Sequence, residues 1–74
     1  MTAREWTAAY AAALGVPAPV DADVETILEL AGVAAHASER TAAPVACWLA
    51  AMSGRRAEDA LVLARALGGA PPES

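Results

Sequence analysis

The sequence predicts an all-α fold: a compact antiparallel bundle of four short helices at about 2–14, 21–38, 42–53 and 56–67. Three observations carry that reading. Apolar residues recur at helical spacing in four separate segments. The breaks between them hold helix-stopping or polar residues: Gly15 with Pro17 and Pro19, then Ser38-Glu39-Arg40, then Arg55-Arg56. Alanine fills 22 of the 74 positions, and it has the best helix propensity of all residues.

The first helix opens with Thr2-Ala3-Arg4-Glu5, a capping box in which Thr2 accepts from a free amide and Glu5 reaches back. Trp6, Ala9, Tyr10, Ala13 and Leu14 then form one apolar stripe. Gly15 suits a left-handed helix stop, and Pro17 and Pro19 prevent resumption, so residues 15–20 form a short stiff linker. Asp21 or Asp23 is the expected N-cap of the second helix. Its main apolar face is Val24, Ile27, Leu28, Ala31, Ala34 and Ala35, with Leu30, Val33 and Ala37 extending around the back. Only a narrow polar stripe remains, Glu25, Glu29, Gly32, His36 and Glu39, which predicts that this helix is the central one.

The third helix starts around Thr41 to Pro44, with Thr41 as cap and Pro44 tolerated in the first turn. Val45, Trp48, Leu49 and Met52 form its apolar stripe. The opposite face, Ala43, Cys47, Ala50, Ala51 and Gly54, is small and smooth and suits close approach by the fourth helix or by a partner. The fourth helix places Ala57, Ala60, Leu61, Ala64 and Leu67 on one side, and Gly68-Gly69 stops it. Trp6, Tyr10 and Trp48 are the expected bulky core fillers. Residues 1–68 thus read as one helical domain, and 69–74, with Pro71-Pro72, as a disordered tail.

Composition excludes several function classes. Nine acids stand against five arginines and no lysine, a net charge of -4, whereas phosphate neutralisation needs a basic surface, so nucleic acid is not an expected partner. One Cys and one His do not build a zinc site or a disulfide framework within a chain, and no metal or cofactor is expected. No apolar run approaches the ~18 residues of a membrane span. Arg4 and the alanine run after it superficially resemble a secretion signal, but Glu5 and Trp6 break the pattern, and a cytoplasmic location is the default expectation. Below ~70–80 residues one core rarely supplies more than ~3–5 kcal/mol. That margin predicts docking on a larger protein or homodimerisation.

The most distinctive string is His36-Ala37-Ser38-Glu39-Arg40-Thr41-Ala42-Ala43-Pro44, between helices two and three. Read as a site, it offers free amides at the start of helix three, the planar fork of Arg40, and His36 one turn earlier, which suits an anion, a nucleotide or pterin phosphate, or a partner. Read as structure, His36 closes helix two, Arg40 pairs with Glu39 or Glu29, and the string is a corner. No catalytic constellation is visible. Cys47 and His36 lie on different helices, Glu25 and Glu29 read as a solvated edge, and Arg55-Arg56 with Glu58-Asp59 reads as a polar turn and helix start.

Ile27-Leu28-Glu29-Leu30-Ala31, then Ala34-Ala35-His36, then Arg40-Thr41-Ala42-Ala43-Pro44 with Leu49, resembles a small bacterial domain of unknown function from high-GC genomes. The likeness spans about residues 5 to 67, starting with Trp6 and Leu14-Gly15. Such domains occur alone or attached to molybdenum cofactor guanylyltransferases, which make molybdopterin guanine dinucleotide. The resemblance implies a non-enzymatic accessory module, partnered by such a guanylyltransferase or a molybdoenzyme maturation factor. It places any functional surface at His36, Arg40, Thr41 and Pro44. Gly32 departs from the pattern, where the family often carries a larger polar residue. The Gly-rich nucleotide loop of the guanylyltransferase itself is missing from this sequence.

Overall fold

The structure, a computed structural model, describes residues 1–67; the Gly68-Gly69 stop and the tail expected at 69–74 lie outside the described residues. Four helices make an all-α bundle: α1 (Ala3–Leu14), α2 (Asp21–Ala37), α3 (Ala42–Met52) and α4 (Ala57–Leu67). The capping box forms as its residues dictate, with Glu5 N–H donating to Thr2 Oγ1 at 3.1 Å and Thr2 N–H to Glu5 Oε1 at 2.8 Å. Gly15 ends α1 at φ 79°, a left-handed conformation that glycine adopts without steric cost. Beyond it Val16 N–H turns back to the Ala11 carbonyl at 3.0 Å. The second helix begins without the expected aspartate cap. Val20 occupies that position and caps with no side chain, so Asp21 and Asp23 act instead as first-turn charges on the helix dipole.

Helix α2 is central, packing on both α3 and α4, which also meet each other. The core is small. Leu30, Ala60 and Leu61 are its buried centre, with Ile27, Val33, Cys47, Ala50 and Ala64 packed against them. On α4 the face expected from the sequence turns inward at Ala57, Ala60, Leu61 and Ala64, while Leu67 is exposed. On α2 the buried line is rotated from the expected one. Leu30, which the pattern sets toward the back, is the most buried residue at 3% exposure, whereas Leu28 is 66% exposed. Apolar side chains surround most of this helix, and the line facing α3 and α4 is the one that closes.

The largest correction concerns the bulky residues. Trp6, Tyr10 and Trp48 do not fill the core and are all more than half exposed. On α3 the small face points inward, with Ala43, Cys47 and Ala50 half-buried, while Val45, Trp48, Leu49 and Met52 face out. Helices bearing small side chains approach closely, and here that approach takes the interior position the large stripe was expected to hold. Ala51 and Gly54, expected on the small face, are exposed.

Helix α1 stands apart. Among the described residues it makes no close backbone approach to the other three helices. Arg4 reaches Asp21 at the start of α2, 2.7 Å away, through an exposed ion pair that contributes little to stability. The overall extents are 43 × 24 × 18 Å.

Gly32 lies inside α2 with no atom within 4 Å of where a Cβ would stand. Gly32→Ala is expected to stabilise the fold by about 0.5–1 kcal/mol, because alanine loses less backbone entropy in a helix. A urea midpoint that shifts upward with an unchanged slope checks this.

Candidate functional site

The corner between α2 and α3 positions His36, Arg40, Thr41 and Pro44, and all four are exposed. His36 sits in the last turn of α2, whose carbonyl end is closed by Ser38 N–H donating to the Ala34 carbonyl at 3.1 Å. Thr41 has helical backbone angles, φ -67° and ψ -17°, and its hydroxyl makes no cap bond. A capping side chain works from an extended residue, so the cap expected at Thr41 is not formed. Ala42 N–H instead donates to the Glu39 carbonyl at 2.9 Å and Ala43 N–H to the Arg40 carbonyl at 3.1 Å. Pro44 carries no N–H. The free amides expected at the start of α3 are therefore absent from its first three positions. What the corner retains for an anion is Arg40. Glu29 pairs with Arg65 at 3.2 Å rather than with Arg40, and among the described residues Arg40 has no carboxylate partner.

Cys47 is half-buried in the contact of α3 with the core. Burial pushes its thiol pKa above the ordinary value, which lowers the thiolate fraction at neutral pH and works against nucleophilic chemistry. The native protein is expected to react with iodoacetamide at neutral pH more slowly than the urea-unfolded chain, a difference that timed mass spectrometry reads. The raised thiol favours the fold below the ordinary thiol range, and that contribution is lost as pH rises through the native value. Among the described residues no group of three or more His, Cys, Asp or Glu side chains is placed to hold a metal ion, and no helix is long and apolar enough to cross a membrane.

The sequence reading missed two other surface features. The first is a groove of about 510 Å³ between α1 and the start of α2. Ala8, Pro19, Val24, Ile27 and Leu28 give it an apolar lining, and Arg4, Asp21, Asp23 and Glu25 a polar edge. The second is exposed apolar surface on two helices. On α1, Trp6 and Tyr10 stack with ring centroids 5.1 Å apart and planes at 28°, beside Leu14 at 59% exposure. On α3, Trp48 is 62% exposed and its three stripe partners are similarly open. A stripe of large residues at helical spacing was the available signal. Periodicity shows that such residues share a face, but not whether the face meets the chain's own core.

No curated protein and no solved structure matches the chain. The family described as "Domain of unknown function (DUF6457)" matches residues 1–71, which is nearly the whole chain. The chain belongs to that family.

Proposed function

We propose that the chain is a non-enzymatic protein-interaction module that docks through the exposed apolar faces of α1 and α3, and that its partner is a molybdenum cofactor guanylyltransferase or a molybdoenzyme maturation factor. The observation that carries the docking reading is the outward Val45, Trp48, Leu49 and Met52 stripe, each residue more than half exposed. Contiguous apolar surface rimmed by polar groups is characteristic of protein contact sites, and tryptophan is enriched among the residues that dominate their energetics. The choice of partner is supported by the resemblance of the Ile27 to Pro44 string.

Titration of the purified protein with a purified guanylyltransferase by calorimetry tests it. Saturable binding is expected, weakened about tenfold or more by Trp48→Glu. No heat and no co-elution with either class of partner overturns the assignment.

A second reading is favoured by the unpaired Arg40. The corner binds an anionic group such as a nucleotide or pterin phosphate through the Arg40 guanidinium, with His36 and Thr41 exposed on the same corner. It predicts stabilisation by guanine nucleotides in a thermal-shift series. Stabilisation that survives Arg40→Ala removes this reading.

A further inference from the structure

We infer that a second copy of this chain seats on the apolar surface, with the Trp48 face of α3 from one copy lying in the α1–α2 groove of the other, and reciprocally. The inference rests on the docking reading of the α3 face, and in it the second copy and the guanylyltransferase compete for the same Trp48 face. Three observations point to a second copy.

The first is area. Val45, Trp48, Leu49 and Met52 are each between 55% and 65% exposed. Taking large apolar side chains at about 150–250 Å² each, their open surface comes to about 450 Å², roughly half of the ~800 Å² that one partner contributes to a standard stable interface. Reciprocal seating adds the groove of the same chain to that half.

The second is shape. The groove of about 510 Å³ accommodates on the order of four large apolar side chains at interior packing density, and the α3 face presents four. An incoming helix thus meets apolar surface from Ala8, Pro19, Val24, Ile27 and Leu28.

The third is charge. The groove edge carries Asp21, Asp23 and Glu25 against Arg4 alone, and Arg4 is already engaged with Asp21. Helix α3 contains no charged residue and is flanked by Glu39-Arg40 on one side and by Arg55-Arg56, then Glu58-Asp59, on the other. Arg56 pairs with Glu58 at 2.6 Å; among the described residues Arg40 and Arg55 have no carboxylate partner. An apolar helix bounded by free guanidinium groups complements an apolar groove edged by free carboxylates. Reciprocal seating closes the assembly at two copies, because both groove and face are then used on each chain.

Sedimentation equilibrium of the whole chain over a wide concentration range, with site-specific photocrosslinking from position 49, tests the inference. Interfaces of this size span about micromolar to picomolar affinity, so the expected mass rises from one chain to two at or below micromolar concentration. The expected crosslinks join position 49 to residues of α1 and the first half of α2 of the other copy. Trp48→Glu is expected to remain a monomer with an unchanged far-ultraviolet helical signal, since the side chain lies outside the core. Asp23→Arg is expected to weaken the dimer about tenfold, and this second variant keeps the test independent of Trp48. A mass of one chain into the high micromolar range, or crosslinks that join α3 to α3, overturns the inference. If the chain stays monomeric yet binds the guanylyltransferase, only the second-copy assignment falls. If it does neither, the docking reading falls with it.

Discussion

Leu30→Ala is expected to leave the chain largely unfolded at room temperature. Leu30 is the most buried residue described, at 3% exposure, and a core cluster forms around it with Ala60 and Leu61. Truncating a buried leucine costs about 2–5 kcal/mol, through lost transfer energy and the cavity left behind. A core this size supplies only ~3–5 kcal/mol in total, so one substitution removes most of the margin. Leu28→Ala is the matched control. It deletes the same atoms two residues away on the same helix, but Leu28 is 66% exposed, and a loss of about 0.5 kcal/mol or less is expected in the monomer. Urea titrations followed by circular dichroism distinguish the pair. Equal losses at the two positions would mean that the core is not centred on Leu30.

The second large effect is the opposite perturbation. Ala60→Leu is expected to destabilise the fold by about 1–3 kcal/mol through overpacking. Ala60 is 8% exposed and lies in the same cluster, where α4 packs on α2. A leucine there adds three carbons to a buried helix contact and pushes the helices apart. Ala66→Leu, on the same helix at an exposed position, is expected to stay within about 0.5 kcal/mol of the parent. If Ala60→Leu stabilises instead, the interior has a void and close helix approach is not what sets the α2 and α4 spacing.

These two residues also mark what the sequence made legible. Local signals read well because their physics is local. Thr2 and Glu5 form their capping box, Gly15 takes its left-handed stop, and α4 buries Ala57, Ala60, Leu61 and Ala64 of the face its spacing dictates. The orientation of α3 was not legible, because Ala42–Met52 holds no charged residue to mark a solvent side and either face satisfies a hydrophobic pattern. The prior that large residues fill cores chose Trp48, and small residues that permit close approach took the place. The same ambiguity put Leu28 ahead of Leu30 on α2. At the corner, the identities of Thr41 and Pro44 suggested a cap and free amides. The backbone angles at Thr41 and the turn bonds from Ala42 and Ala43 decide otherwise, and neither can be read from residue types.

The detachment of α1 has a consequence for how the molecule opens. An isolated helix of 12 residues is marginal in water even with good caps, and α1 lacks backbone neighbours in the bundle to hold it. Its amides should exchange with deuterium through local fraying that costs almost nothing, while those around Leu30 wait for the whole bundle to open. The single chain then has two protection classes, divided at the Gly15 to Val20 linker. Occupation of the groove would merge them, so the exchange rate of one helix reports whether its open side is covered.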